Sequence, residues 1–200
     1  METLLSIGLG VGLSAACGFR VFVPLLIMGL AAQAGYLTLA PGLEWIGTSP
    51  ALPAFAVAAC LEIAAYFVPG VDNLLDTVAT PAAIVAGTLV TAAAVSEMTP
   101  SLKWTLAVIA GGGAAATVQV ATAFTRGAST VTTGGLGNPL VATMELGGAM
   151  TLSLLAIALP LIAGIVVVGG LWFVGKRVYA RQRKDASHPR PSEDKAPRAI

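Results

Sequence analysis

The chain has 200 residues, of which 56% are hydrophobic and only 10% are charged, against about 25% in soluble domains. This composition excludes an ordinary water-soluble fold. The formal net charge is +1, and eight of the 11 lysines and arginines lie at or after Lys176. Nucleic acid is therefore not an expected partner. The composition instead predicts a multi-pass protein whose partner is the lipid bilayer.

Apolar segments predict an all-α integral membrane protein with five or six transmembrane helices, because a helix needs about 20 apolar residues to cross the hydrocarbon core. The segments, in chain order, are residues 4–39, 51–68, 82–95, 104–124 and 140–174. Residues 1–175 therefore form the predicted transmembrane domain.

Two of these segments are too long for one straight crossing, so we expect interrupted helices. The first contains Gly18 and Pro24, which predict a kinked or broken helix. Pro160 and Gly164 could divide the last segment into two. The alternative for the last segment is a buried half-helix followed by one long tilted span.

The C-terminal region, residues 176–200, is predicted to be a basic, disordered tail. It is rich in proline and charge and follows an aromatic anchor, Trp172 and Phe173. Positive charge beside a span favours the cytoplasmic side of a membrane. We therefore expect a cytoplasmic C-terminus.

An offset of 57 residues aligns two similar stretches that begin at Cys60 and Thr117. The pattern suggests two repeats, at residues 51–97 and 104–157, each with a span, a polar linker, a proline and a second span. Chance similarity in a low-complexity sequence is the alternative. A true duplication would resemble transporters that build a site between two interrupted segments.

Three ionisable residues, Arg20, Glu62 and Glu145, lie deep inside apolar segments. Charges in a bilayer are costly and normally face a partner or a water-filled cavity. Arg20 therefore needs an acidic partner, for which Glu62 is the first candidate and Asp72 the second. The site is either a structural ion pair or a substrate or proton site.

Residues 69–81 form a polar linker that contains Asp72 and Asp76. Four-residue spacing would place both carboxylates on one face of a helix, with room for a cation. The alternative is an exposed linker whose acids are solvated.

Residues 126–139 form a second polar linker, rich in glycine and threonine. Its candidate ligand-binding side chains are those of Arg126, Thr130, Thr133 and Asn138. Asn138 could cap a following helix, whose positive end would favour an anion. The alternative is a glycine-rich loop without a ligand. We expect both linkers to be non-helical and to meet as two halves of one site.

Small residues recur at spacings that suit close helix packing, notably at Gly8, Gly12 and around Gly111. They predict packing within the chain or a homo-oligomer. Cys17 and Cys60 lie in apolar segments and are interpreted as small apolar residues rather than as disulfide or metal ligands.

No complete catalytic set is recognisable, because the single histidine, His188, lies in the tail. We therefore expect no catalytic residues, no metal, no cofactor and no enzymatic activity.

The motifs resemble those of a family of small bacterial multi-pass proteins, domain of unknown function 4126. The resemblance covers residues 4–162 and rests on three groups of residues. They are Gly18-Phe19-Arg20 with Pro24, Glu62 followed by Val71-Asp72, Asp76 and Pro81, and Arg126 followed by Thr133-Gly134-Gly135, Asn138-Pro139 and Glu145. It implies an integral membrane protein and supplies no activity. We expect the protein in a bacterial inner membrane.

Three functions fit these observations. Polar interrupted helices with deep charges favour a transporter or channel for a small polar solute or ion. Small-residue packing without a catalytic set favours a non-enzymatic scaffold or accessory subunit. A polar track along a helix surface would suit lipid handling, as in a scramblase.

Overall fold

A computed structural model describes residues 1–68 and 71–186, and these form an all-helical structure without strands. The eight α-helices of this part are α1 (Glu2–Cys17), α2 (Phe22–Gln33), α3 (Ala51–Ala65), α4 (Val71–Ala94), α5 (Pro100–Leu106), α6 (Gly113–Thr133), α7 (Asn138–Ala158) and α8 (Pro160–Ala186). A short 3₁₀ helix, Glu44–Gly47, precedes α3, and a π-helical segment, Ala107–Gly112, joins α5 to α6. The predicted all-α class is confirmed.

Four helical segments of the described chain are long and apolar enough to cross a membrane: Leu74–Ala94, Pro100–Thr133, Asn138–Ala158 and Pro160–Arg177. Three shorter apolar helices, α1, α2 and α3, contain 16, 12 and 15 residues. The fold is thus that of a helical membrane protein. A total of five or six spans stays a prediction, as does the two-unit repeat.

The first apolar segment is broken rather than kinked, because α1 ends at Cys17 and α2 begins at Phe22. Gly18 allows α6 to approach closely, since a Cβ there would lie 2.5 Å from the carbonyl oxygen of Ala115. Pro24 falls in the first turn of α2, where its missing N–H removes no helical hydrogen bond. The break places Arg20 between two half-length helices.

The last apolar segment divides where α7 ends and α8 begins at Pro160, so Pro160 rather than Gly164 marks the break. Leu159 has φ −139° and ψ 67°, outside the helical region. α8 continues to Ala186, so the part of the predicted tail that it covers is helical rather than disordered. Residues 187–200, including His188, lie outside the described residues.

The prediction of two non-helical linkers is wrong. α4 runs through Pro81, and α6 continues past Arg126 to Thr133. Threonine hydroxyls of α6 donate to carbonyls four residues earlier, as from Thr125 to Ala121 at 2.8 Å, so these polar side chains are satisfied within the helix. The chain turns only after Thr133, where Gly134 and Gly135 have φ of 64° and 89°.

Small residues hold α1 against its neighbours, as the sequence predicted. A Cβ on Gly8 would lie 2.5 Å from the carbonyl oxygen of Pro160, and one on Gly12 would lie 2.8 Å from the Cβ of Ala156. The hydroxyl of Thr91 on α4 donates to the carbonyl of Gly10 at 3.1 Å. These close approaches hold α1 against α4, α7 and the start of α8. α4 carries Asp76 and α7 carries Glu145, the two acids of the site described below.

The chain divides at Val167 into two compact units. The described part of the second unit is the C-terminal portion of α8, where Lys176 lies over the ring of Trp172 and Arg177 over that of Phe173. All residues of the site described below belong to the first unit.

Candidate functional site: a buried charge cluster

Two arginines from separate parts of the chain are buried in the first unit. Arg20, in the break between α1 and α2, and Arg126, on α6, are each 1% exposed. An arginine cannot lose its proton in this setting, so burial requires acceptors and counter-charges.

Glu145 of α7 supplies a counter-charge to both arginines. Its Oε2 atom lies 3.3 Å from Nη2 of Arg20, and its Oε1 atom accepts a hydrogen bond of 3.0 Å from Nε of Arg126. Glu145 itself is 4% exposed. One carboxylate therefore bridges two buried guanidinium groups.

Asp76 of α4 is the second acid of the site, and its Oδ1 atom accepts a hydrogen bond from Nη1 of Arg126. Arg20, Asp76, Arg126 and Glu145 together are called the charge cluster below. With all four groups ionised its formal charge is zero, so attraction between its members offsets part of the cost of their burial.

Tyr66, just after α3, lies at the centre of the cluster. The Cζ atom of Arg20 is 4.0 Å from the centroid of its ring, and that of Arg126 is 4.2 Å away. The Tyr66 hydroxyl donates to Oδ1 of Asp76 at 3.4 Å. Stacking on an aromatic face stabilises desolvated guanidinium groups. Tyr66 is not among the residues predicted from the sequence, although its position four residues after Glu62, on the same helix face, could have indicated it.

Glu62 does not pair with Arg20, so the first predicted partner was wrong. Its Oε1 accepts the backbone N–H of Val21 at 2.8 Å, and its Oε2 accepts that of Phe22 at 3.1 Å. The first N–H groups of a helix have no internal acceptor and carry a partial positive charge. Glu62 on α3 therefore caps the N-terminus of α2, while Glu145 serves Arg20.

The remaining candidate residues have different positions. The side chain of Asp72 lies outside the described part of the structure. Asn138 is the first residue of α7 and does not cap it; its Nδ2 atom donates instead to Oγ1 of Thr130 at 2.9 Å. Thr130 follows Arg126 by one turn and donates to its carbonyl at 3.0 Å. Thr133 is exposed and accepts the N–H of Gly137 at 3.0 Å.

The buried polar residues of α6 lie on one face of the helix. Gln119, Thr122 and Arg126 are 1%, 6% and 1% exposed, and Thr130 continues the same face. At about 1.5 Å per residue, this polar face covers roughly half of a hydrocarbon core about 30 Å thick.

A cavity of about 420 Å³ lies beside the cluster and is lined by the start of α2, by α3 with Tyr66, and by α4. Glu62 and Tyr66 are its polar lining residues, and the others are apolar, including Phe22, Leu61 and Val78. The ring that stacks on both arginines is therefore reachable from this cavity.

In residues 1–68 and 71–186, histidine, cysteine, aspartate and glutamate side chains form no group of three that could hold a metal ion. Cys17 is buried and Cys60 is exposed.

Helices of membrane-spanning length, a broken first segment and buried charges near the break define the class of this protein: a helical membrane protein with a buried cluster of charged side chains. The chain belongs to the family described as Domain of unknown function (DUF4126), whose sequence profile matches residues 7–179. That range includes the whole charge cluster and confirms the resemblance seen in the sequence motifs. No curated protein and no solved structure matches the chain significantly.

Proposed function

We propose that this protein carries a small polar solute or ion across the membrane, as a transporter or channel, and that the charge cluster is its solute site. One observation carries the proposal. Charged side chains from α4, α6, α7 and the break between α1 and α2 converge beside a cavity, and Glu145 alone bridges two buried arginines. Discontinuous helices with charges at the break are the usual architecture of transport sites.

The polar face of α6 supports this proposal. It extends from Gln119 through Arg126 to Thr130, so polar groups continue along the helix on both sides of the cluster. A purely structural ion pair needs no such extension. A solute that moves along a helix needs successive polar partners, because lipid offers none.

Lipid handling is the second candidate, and the cavity between α3 and α4 favours it. Apart from Glu62 and Tyr66 its lining is apolar, which suits an acyl chain whose headgroup lies near the cluster.

For localisation we propose a bacterial inner membrane with the C-terminus in the cytoplasm. The support is the concentration of eight lysines and arginines at or after Lys176, at the end of the last candidate span and beyond it. A homo-oligomer stays a further prediction, supported by small residues that contact nothing within the chain, such as Gly113 in the stretch around Gly111.

The purified protein in liposomes tests the function. We expect flux of at least one small polar solute above that of protein-free liposomes. Replacing Arg126 with lysine should lower this flux by about tenfold or more, because lysine cannot reproduce the fork that contacts Glu145 and Asp76 or the stacking on Tyr66. Arg177→Lys, at an exposed position of α8, is the matched control and should leave flux unchanged.

Movement of fluorescent lipids between leaflets without solute flux would favour lipid handling. If the protein produces neither solute flux nor lipid movement between leaflets, the result would contradict transport and favour the scaffold interpretation.

A further inference from the structure

Most of the buried side-chain atoms near the cluster that lack a hydrogen-bond partner are donors, and Oε2 of Glu145 is an acceptor among them. Among the described residues, Nε and Nη1 of Arg20, Nη2 of Arg126 and Nε2 of Gln119 are buried and have no acceptor in the protein. A buried donor without an acceptor costs about 1 to 3 kcal/mol. Such a site favours a ligand that brings acceptors.

Glu145 shows that a single small anion can engage both arginines. Its two oxygens reach Arg20 at 3.3 Å and Arg126 at 3.0 Å, although its contact with Arg20 is an ion pair without hydrogen-bond geometry. Arg20 is also only partly committed to Glu145, since its Nη2 donates to the carbonyl of Ala142 at 3.0 Å. An external carboxylate or other oxyanion would offer these donors the same chemistry.

Charge balance determines how such an anion could enter. The charge cluster is formally neutral, so an added anion would leave one uncompensated negative charge in a buried site, which is costly. One proton removes this cost if it neutralises an acid of the cluster. Neither arginine can release a proton, so the candidates are Asp76 and Glu145.

The geometry selects Glu145 for this proton. Asp76 accepts hydrogen bonds from both Tyr66 and Arg126, whereas Glu145 accepts its one hydrogen bond from the guanidinium that the anion would take over. Glu62, the other acid nearby, already serves the backbone of α2. Protonated Glu145 loses its attraction to Arg20 and Arg126 and leaves both available.

We infer that the solute is a small monovalent carboxylate or monovalent inorganic oxyanion that binds Arg20 and Arg126 in exchange for Glu145, with one proton taken up by Glu145 for each anion. This inference rests on the proposed function and adds the substrate class and the coupling ion. The proton comes from water and adds to a Glu145 carboxylate oxygen, no covalent bond to the anion forms, and the cluster remains neutral throughout.

Liposomes that contain the purified protein and the pH dye pyranine test both parts. Each liposome sample receives one external solute from a panel of pyruvate, nitrate, phosphate, potassium, glycine and glycerol, with the outside more acidic than the inside and acidic enough that phosphate is mostly the monovalent dihydrogen form. We expect uptake of pyruvate or of an inorganic oxyanion, together with acidification of the interior beyond that of protein-free liposomes. The individual anions distinguish the carboxylate from the inorganic source.

Glu145→Gln should abolish the dependence of anion uptake on the pH gradient, because this side chain can no longer exchange a proton. Glu97→Gln, at an exposed loop position, is the matched control and should retain the dependence. If the Glu145 variant does not fold, the melting temperature of the unmodified protein tests the same exchange. The anion should raise this melting temperature more at acidic than at alkaline pH.

Flux of potassium, glycine or glycerol alone would overturn this inference and leave the proposed function standing. Anion flux without proton movement would overturn the exchange with Glu145. The absence of all flux would contradict the proposed function and, with it, the inference.

Discussion

At the scale of single residues, the two buried arginines share their acceptors. Glu145 lies against both, Tyr66 stacks on both, and Asp76 adds a second carboxylate for Arg126. These shared contacts connect residues that are far apart in the chain. Removal of one charged side chain of the cluster therefore leaves another buried charge without its partner.

Arg20→Met should lower the free energy of unfolding by about 3 to 5 kcal/mol, because Glu145 loses one of its two guanidinium groups. Combined with Glu145→Leu, the loss should be smaller than the sum of the single losses by about 1 to 3 kcal/mol. Unfolding by sodium dodecyl sulfate in mixed micelles measures both. As a control, the losses of unfolding free energy from Arg20→Met and from the exposed Glu97→Gln should add in the double variant. A stronger energetic coupling of Arg20 to Glu62 than to Glu145 would contradict the pairing of Arg20 with Glu145.

At the scale of elements, a carboxylate on one helix holds the start of another. Glu62 accepts the backbone N–H groups of Val21 and Phe22 at the start of α2. The same three residues line the cavity. The position of α2 therefore depends on the charge of a side chain that is accessible from the cavity.

Glu62→Ala should expose the amides of Val21 and Phe22, since both lose their acceptor. We expect a loss of about 1 kcal/mol of local stability. Hydrogen–deuterium exchange at the start of α2 should be faster, while exchange in α7 stays unchanged. Equal exchange of the α2 amides in the Glu62 variant and in a Glu97→Ala control would show that the cap is not needed.

Close packing of α1, α4 and the π-helical segment is the second feature at this scale. A Cβ on Gly87 would lie 2.5 Å from Oγ of Ser14 and 2.6 Å from the Cβ of Ala115. The Ser14 hydroxyl also donates to the carbonyl of Gly111 in the π-helical segment. Only a glycine allows this three-way approach.

Gly87→Ala should therefore destabilise the protein by about 1 to 3 kcal/mol through overpacking. Gly113→Ala is the matched control, since a Cβ there meets nothing within 4 Å. This control should be neutral or should stabilise α6 by up to about 1 kcal/mol. Thermal unfolding of the two variants in detergent compares them, and equal stability would contradict the packing at Gly87.

At the scale of the whole molecule, orientation follows from charge. The excess of lysine and arginine after the last span predicts that the C-terminus stays in the cytoplasm. A fusion of alkaline phosphatase after Arg198 should be inactive, and a fluorescent protein that folds in the cytoplasm should be bright at the same position. An active phosphatase fusion would show that the C-terminus lies outside the cytoplasm and would contradict the predicted orientation.

The sequence by itself determined the class of protein and indicated where two helices could be interrupted. Its apolar composition indicated membrane-spanning helices, and Gly18 and Pro160 marked the interruptions, because proline and glycine act on the local backbone. Arg20 and Glu145 were recognisable as candidate site residues, since a charge in an apolar segment is costly whatever its partner. Arg126 was recognisable only as a candidate ligand-binding side chain of the second polar linker.

Only the tertiary structure decided the pairing. Glu145 rather than Glu62 serves Arg20, Tyr66 joins the cluster, and both predicted linkers are largely helical. These outcomes depend on which helices pack together, and close packing at glycines brings groups into contact that sequence spacing does not relate. The physical reason is that a buried charge requires a partner, while long-range packing selects which one.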